Sequence, residues 1–374
     1  MESPETDDKR WQRSVNEGSP VAESPAIKHL LLLWLQEAID SIGQSLGIPA
    51  LHVPSDGVVE NGVKAGDLAL YQVKDETKIL YVSSIAFKLS KLWGIPITDI
   101  ATAIARELSD SNVALNTDSE PYFMVRVVSP GLIHLQLSDL GISAWLQRLV
   151  EDGKSKVKSQ KSKENWSLVI SHCSLVILPH SPTPPLSHSP TLPLPHSPTL
   201  PLPHSLTPPL SHSPTLPLPH PKSHIFAVQY AHARCCSLLR LAHREGAIAL
   251  VEPDPDSSPA YWCLVSPNPI PWLTSDKKLR LVHPAERALI SYLFALVDNI
   301  YCPHPSGREI NWEKTALALS DLFETFYSRC RIWGEVKKED LCLAQARLGL
   351  LVVTQTLLRL VLQDFLGVFA PLEL

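Results

Sequence analysis

The sequence predicts a mostly α-helical protein with two folded segments, an all-α bundle on the C-terminal side and a small α+β domain on the N-terminal side. Long stretches of residues 225–374 carry apolar residues at helical spacing. Two apolar runs flank the Ser-Pro-Gly at residues 129–131, which indicates an antiparallel pair of strands. Sixteen of the 34 prolines lie between Pro179 and Pro221, and so dense a proline run cannot form a packed core.

The N-terminal segment, residues 26–152, follows a polar, acidic stretch that we predict to be a disordered tail (residues 1–25). A first helix is expected from Ala26 to Gly47. The stretches "YVSSIAFKLSKLWG" and "TDIATAIARELSD" predict two more helices, with Thr98 as the N-cap of the second. The strand pair follows, and "DLGISAWLQRLV" predicts a closing helix. Helices with one antiparallel pair indicate a small α+β domain.

Residues 153–224 have the composition of a linker. A lysine-rich run precedes five near-identical copies of an octamer such as "HSPTLPLP". Its six histidines recur every eight residues, at positions 180, 188, 196, 204, 212 and 220. Proline at this density favours extended polyproline II without internal hydrogen bonds. Ligands on such a repeat have no fixed geometry, so we predict no metal site.

The C-terminal segment, residues 225–374, predicts long amphipathic helices joined by short loops. Pro284 suits the first turn of the stretch "PAERALISYLFALVDNIYC", and Glu286 lies near its positive end. A second helix is expected to end at Gly334 and the last at Gly367. Several such helices within 150 residues are typical of an all-α bundle.

Composition and motifs exclude several classes of function within these 374 residues. The net charge of −5 gives no overall basic signature for nucleic acid, although a local patch suffices for phosphate binding. The glycine-rich nucleotide motifs, H-E-x-x-H and G-x-S-x-G are absent from the sequence. We therefore predict no catalytic residues, no cofactor, no metal, no DNA partner and no membrane partner. The polar N-terminus has no apolar core of a signal peptide, which predicts a cytoplasmic protein.

Four stretches of the C-terminal segment resemble the arginyl-tRNA synthetase family. They are "VQYAHARCCSLLR", "HPAERALISYL", "LSDLFETFYSRCRIWG" and the final "AQARLGLLVVTQTLLRLVLQDFLGVFAPLEL". The last contains the family's closing Leu-Gly-x-x-Ala-Pro pattern at residues 366–371, and "AQAR" at residues 344–347 stands where the family's anticodon-binding (DALR) domain has its name-giving tetrapeptide. The segments "LSKLWGIPITDIATAIARELSD" and "VVSPGLIHLQLS" resemble the family's N-terminal domain, which contacts the tRNA elbow.

The resemblance implies two tRNA-contacting parts without the catalytic domain that separates them in the family. The His-x-Gly-His motif for ATP is missing, and residues 153–224 stand where several hundred residues are expected. We therefore predict a chain that is not an enzyme by itself.

The resemblance also implies which residues would contact tRNA in the bundle. Unstacked bases of an anticodon loop pair with aromatic rings and guanidinium planes. The candidates, all within the family-like stretches, are Gln229, Tyr230, His232, Arg234, Tyr327, Arg331, Gln355 and Arg359. Each has a structural alternative, because aromatic residues at helical spacing commonly pack in a core and polar residues on a helix commonly face water.

The function expected from these observations is non-catalytic binding of tRNA, with arginine tRNA as the partner. Two binding parts on one tether would increase their effective concentration on a single tRNA. An alternative is a protein-interaction or accessory module of a translation complex, because residues 225–374 carry fifteen Lys and Arg against sixteen Asp and Glu. A decaying gene product, or a homologue assigned arginine–tRNA ligase activity by descent alone, are further alternatives.

Overall fold

The computed structural model describes residues 25–47, 68–73, 75, 78–114, 121–159, 222–251, 263–302 and 309–374. Within these ranges the protein contains nine α-helices and two small sheets, which confirms the prediction of a mostly α fold. The predicted tail up to residue 24 and the predicted linker from 160 to 221 lie outside the described residues. The boundaries predicted for the four segments stay a prediction.

The N-terminal part contains four helices and four strands. Their bounds are α1 (Ile27–Ser45), β1 (Leu70–Val73), β2 (Leu80–Ser83), α2 (Ile85–Trp93), α3 (Ile97–Ala114), β3 (Phe123–Val128), β4 (Leu132–Leu137) and α4 (Asp139–Ser159). The strands form one antiparallel sheet in the order β1-β2-β4-β3. Helices α1, α2 and α3 cover one face of it through Ile133, Leu135 and Leu137 of β4, which alternate with less buried neighbours.

Two sequence-based predictions for this part were wrong. Residues 81–83 were expected to begin a helix, but they pair with β1 and β4 as the central strand β2, and the helix begins at Ile85. Thr98 was expected to cap α3, but the first backbone carbonyl of this helix to accept hydrogen bonds is that of Pro96. Proline is tolerated at a helix start because it has no N–H to satisfy, so α3 begins earlier than the Thr98 signal indicates.

The C-terminal part contains five helices and one hairpin. Their bounds are α5 (Lys222–Arg244), β5 (Ala249–Val251), β6 (Cys263–Ser266), α6 (Pro284–Tyr301), α7 (Trp312–Arg329), α8 (Glu335–Glu339) and α9 (Leu341–Leu360), and a π-helical turn, Val361–Phe365, extends α9. The β5–β6 hairpin was not predicted. Helix α6 begins as expected, with Pro284 in its first turn and a capping box between His283 and Glu286.

Helix α9 is the central element of the bundle. It packs against α5, α6 and α7, and most of its circumference is buried. By length and composition the stretch Leu341–Phe365 would be apolar enough to cross a membrane, but 67% of its most apolar window is buried inside the protein. Burial on all sides is typical of the core helix of a soluble bundle.

The two parts share one compact unit and one hydrophobic core. The described residues up to 158 and from 222 onward belong to the same unit. The continuous buried cluster includes Leu35 of α1 and Leu135 of β4 together with Leu293 of α6 and Leu351 of α9.

Candidate functional site

One face of α5 presents large side chains to solvent. Phe226, Tyr230 and Arg234 follow one another at intervals of four residues, which places them along one side of the helix. The side chains of Phe226 and Tyr230 are 56% and 47% exposed, although most residues of the following two turns are buried. Exposed aromatic residues in series offer flat apolar surfaces that a solvated helix does not need for its own stability.

Arg234 extends this series to the neighbouring helix α7. Its guanidinium carbon lies 5.3 Å from the centre of the Tyr327 ring, and its Nη2 donates a hydrogen bond to the Tyr327 hydroxyl at 3.3 Å. Tyr327 in turn stacks on the buried Phe323, with ring centres 6.2 Å apart. The arrangement fixes a cation beside an aromatic ring at the edge of the exposed face.

The chain after α9 returns across α5 as a strap, residues 368–373. Side chains of α5 hold three of its carbonyl groups: Gln229 Nε2 donates to Phe369 O at 2.8 Å, His232 Nδ1 to Pro371 O at 2.8 Å, and Arg240 Nη2 to Leu372 O at 3.1 Å. Arg240 also pairs with Glu373 at 2.8 Å. The strap leaves the Phe369 side chain 67% exposed beside the N-terminal half of α5.

We call Phe226, Tyr230, Arg234, Tyr327 and Phe369 the aromatic–arginine surface. Four rings and one guanidinium are thereby contributed by α5, α7 and the strap. Such a set can stack planar apolar groups and attract a negative charge, which are the two properties that single-stranded nucleic acid requires.

His232 is one of the predicted binding residues, but its side chain is fully buried. Burial lowers its pKa to about 4, and the charge of Arg359 acts in the same direction. The neutral ring donates through Nδ1 to the Pro371 carbonyl and accepts at Nε2 a hydrogen bond from Gln355 Nε2 at 2.8 Å. The geometry assigns His232 to the anchoring of the strap, and any role in binding is indirect.

Gln355 and Arg359 are also buried, with 3% and 6% of their surfaces exposed. Gln355 Nε2 donates to His232 inside the bundle, and Arg359 Nε donates to Gln363 Oε1 at 2.9 Å one turn further on. Their role in tRNA binding stays a prediction. Gln355 reaches the strap only through His232.

Arg331 does not share a helical face with Tyr327. Helix α7 ends at Arg329, five residues before its predicted end at Gly334, so the four-residue spacing does not place the two side chains on one helical face. The Arg331 side chain is exposed, and its backbone carbonyl accepts a hydrogen bond from Arg347. Arg347, the arginine of "AQAR", also forms a buried ion pair with Glu286 at 2.6 Å. This tetrapeptide therefore joins α9 to α6 and contributes no exposed group.

A second surface lies on the outer face of the N-terminal sheet. The strand registers place Tyr71, Val82, His134 and Arg126 in one row across β1, β2, β4 and β3. Tyr71 is 51% exposed and Arg126 is exposed as well, whereas Val82 in the middle of the row is buried and His134 is half-buried. His134 lies in the family-like segment "VVSPGLIHLQLS", but the sequence did not predict this row because the pairing of β1 and β2 was not recognised.

Comparison with known proteins supports the resemblance seen in the motifs. The arginine–tRNA ligase of Synechococcus sp. (strain JA-3-3Ab) is 35% identical over 144 residues, which are 38% of this chain and 21% of that protein. The arginine–tRNA ligase of Moorella thermoacetica (strain ATCC 39073 / JCM 9320) is 32% identical over 148 residues, 39% of this chain and 22% of that protein. That of Pelodictyon phaeoclathratiforme (strain DSM 5477 / BU-1) is 35% identical over 150 residues, with the same two shares.

No family model matches the chain. No solved structure matches it either. The aligned stretch spans about a fifth of the length of these relatives. The fold and the motifs thus define a helical protein with a likeness to arginyl-tRNA synthetases, and this chain is arginyl-tRNA synthetase-like over 38–39% of its length.

The structure adds two residues that the sequence did not single out, Phe226 and Phe369. Phe226 lies four residues before Tyr230, so the helical spacing was a signal that could have identified it. Phe369 joins the surface only because the strap folds back onto α5, and no local pattern encodes that contact.

Proposed function

We propose that this chain is a cytoplasmic, non-catalytic tRNA-binding protein, with arginine tRNA as its partner. The observation that carries the proposal is the aromatic–arginine surface, in which Tyr230 is 47% exposed and Arg234 lies over Tyr327. The similarity to arginine–tRNA ligases, proteins that act on tRNA, supports the choice of ligand.

The surface suits the bases of a loop better than a duplex. A base stacked on an exposed tyrosine contributes about 1–3 kcal/mol and requires a nucleotide with a free face, which the stacked bases inside a duplex lack. Arg234 adds a cation for the adjacent phosphate or for a second stacked base. The anticodon loop is the part of tRNA that offers such nucleotides, and the outer sheet row of Tyr71, His134 and Arg126 is the candidate for a second contact.

The absence of ligase activity is part of the proposal. The His-x-Gly-His motif does not occur in these 374 residues, and the relatives extend far beyond the part that aligns here. The buried groups of the described bundle support the same view, because His232 holds the strap and Cys236 is enclosed beside the His232 ring. Burial raises the Cys236 pKa to about 12, which leaves it a protonated thiol rather than a nucleophile at neutral pH.

Substitution at the surface tests the proposal. Tyr230→Ala is expected to weaken binding of arginine tRNA about tenfold, since it removes one stacking ring. Arg234→Ala is expected to weaken binding and to reduce the slope of log affinity against log salt by about one. Arg244→Ala is the matched control, because Arg244 is also exposed on α5 but ten residues from Arg234. Equal affinities for all four proteins would contradict this surface as the binding site.

A protein-interaction module is the second candidate. The near balance of charge in residues 225–374 and the exposed rings of Phe226 and Phe369 also suit a protein partner. Recovery of all tRNAs in proportion to their abundance, or of none, by the unsubstituted chain would favour this alternative.

A further inference from the structure

We propose that the N-terminal part, residues 25–159, and the C-terminal part, residues 222–374, recognise each other directly and remain one body without the chain that connects them. The inference concerns an interaction surface on α6 and on the loop at residues 267–282, and its partner is the N-terminal part of the same protein. It does not rest on the proposed function.

The contact has an apolar centre. The rings of Trp145 on α4 and Phe294 on α6 stack with centres 3.5 Å apart and an angle of 20° between their planes. Trp145 is 4% exposed and Phe294 is 0% exposed, so the stacked pair is closed to water. Helices α1 and α6 also pack against each other at this side. A pair of buried aromatic rings from two partners is typical of the centre of a stable interface.

A buried carboxylate on α6 receives two groups of the N-terminal part. Tyr81 of β2 donates its hydroxyl to Asp298 Oδ2 at 2.5 Å, and the backbone N–H of Lys28 donates to Asp298 Oδ1 at 3.0 Å. Tyr81 is 0% exposed and Asp298 is 5% exposed. Separation of the two parts would leave a carboxylate and a phenol without these partners, which makes the pairing specific as well as stable.

The side chain of Gln147 on α4 forms hydrogen bonds with the loop that precedes α6. Its Oε1 accepts hydrogen bonds from Ile270 N at 3.0 Å and from Trp272 Nε1 at 3.1 Å, and its Nε2 donates to Asn268 Oδ1 at 3.1 Å. The amide therefore uses both ends on the C-terminal part. Trp272 also packs against Gly349 of α9, so the residue that Gln147 binds is itself in contact with the central helix of the bundle.

The rim of the contact carries polar links that are partly open to water. Arg287 Nη2 pairs with Asp139 Oδ1 at 3.1 Å, and Leu279 N donates to Asp139 Oδ2 at 3.0 Å. On the opposite side, Gln72 Nε2 donates to Ser291 O at 3.3 Å. Gln72 Oε1 is buried without a hydrogen-bond partner, so this side of the contact is the less complete one. An apolar centre, buried polar groups that pair across the contact and a polar rim together form the anatomy of a specific protein–protein interface.

The interface changes how two binding surfaces would act on one ligand. A flexible tether was expected to supply the effective concentration of the second surface. This effective concentration would then depend on the length of the tether. Two surfaces on one body have a fixed separation instead. We therefore expect binding to be independent of that length, a consequence that does rest on the proposed function.

Cleavage of the connection tests the interface. A protease site is placed within the octamer repeats of the full-length protein, the folded chain is cut, and the fragments are analysed by size-exclusion chromatography and native mass spectrometry at micromolar concentration. We expect both fragments in one complex of the mass of the uncut chain. Separation or precipitation of the fragments overturns the proposal, and the readout contains no RNA, so failure of the proposed function would not affect it.

Two variants assign the contacts. Gln147→Leu and Asp298→Leu are each expected to raise the dissociation constant of the cut complex at least tenfold, because each removes or replaces partners of buried polar groups. Asp321→Asn, at an exposed position of α7, is the matched control and should leave the complex unchanged. A cut complex that neither Gln147→Leu nor Asp298→Leu weakens would overturn the assignment of the interface to these residues.

Discussion

Burial gives a predicted binding residue of this protein a structural role instead of a direct contact with a ligand. His232 has the residue type and the neighbours of an RNA contact, yet it lies under the strap and holds Pro371. Its pKa is lowered to about 4, so it stays neutral throughout the physiological range. The exposed partners on the same helix, Tyr230 and Arg234, are left to make any direct contact.

Asp298 shows the opposite effect of burial on an acid. Its pKa is raised from 3.8 to about 6 because burial disfavours the charged form, although the Tyr81 hydroxyl and the Lys28 N–H act to lower it. The folded state therefore binds this proton more tightly than the unfolded state does. The stabilisation is fully present below about pH 4 and is lost as the pH rises through about 6.

Asp298→Asn is predicted to remove this pH dependence. The amide can still accept from Lys28 N and donate to the Tyr81 oxygen, so the contacts remain while the charge is eliminated. Relative to the unsubstituted protein, the free energy of unfolding of the variant should rise by on the order of 2 kcal/mol between pH 4 and pH 7. Urea unfolding at several pH values measures it.

The comparison has an internal control. His232 titrates in the same range with the opposite sign, but it is present in both proteins and cancels in the difference. A difference between Asp298→Asn and the unsubstituted protein that stays constant from pH 4 to pH 7 would contradict the account of this carboxyl group.

At the scale of elements, sequence periodicity predicted the helices well and the sheet poorly. The apolar residues that recur at helical spacing along α6 and α7 are buried, with Leu289, Leu293, Leu319 and Phe323 all at 1% exposure or less. Strand β2 was missed because Tyr81, Val82 and Ser83 lie in the middle of the sheet and are buried on both faces, so they lack the alternation of a half-exposed strand. The β5–β6 hairpin was missed because its strands are only three and four residues long.

The candidate site was predictable only where a residue's neighbours lie on its own helix. The spacing of Tyr230 and Arg234 follows from α5 alone. The burial of Gln355 and Arg359 depends on the central position of α9, and the apolar run "LGLLVV" around the helix was the available signal for that position. The contact of Arg234 with Tyr327 joins residues 93 positions apart, which no periodicity encodes.

Gly349 is predicted to be required for the packing of α9. A Cβ atom at this position would lie 2.6 Å from the Trp272 ring and 2.7 Å from Ile270 Cδ1. Alanine normally stabilises a helix relative to glycine, but here Gly349→Ala should destabilise the fold by about 1–3 kcal/mol through overpacking. Thermal or urea unfolding measures the change.

A double-mutant cycle isolates the cause. In a Trp272→Leu background the ring that opposes the new methyl group is gone and only Ile270 Cδ1 remains in its way, so Gly349→Ala should cost less than it does in the original protein. An equal cost in both backgrounds would show that the ring is not the obstacle.

At the scale of the whole molecule, the described residues of the two folded parts form one unit rather than two modules on a tether. The sequence indicated two segments separated by a low-complexity repeat, and nothing in their local patterns encoded the contacts between Tyr81 and Asp298 or between Gln147 and Trp272. Such contacts are known only once the chain is folded, because they join residues more than 120 positions apart.

Capture of total cellular tRNA by the purified full chain, with the bound species sequenced while the salt concentration is raised stepwise, tests the central claim most directly. The account predicts enrichment of arginine tRNAs, a loss of affinity with salt that indicates phosphate contacts, and a reduced yield with Tyr230→Ala but not with Arg244→Ala. Recovery of all tRNAs in proportion to their abundance, or of none, would contradict it.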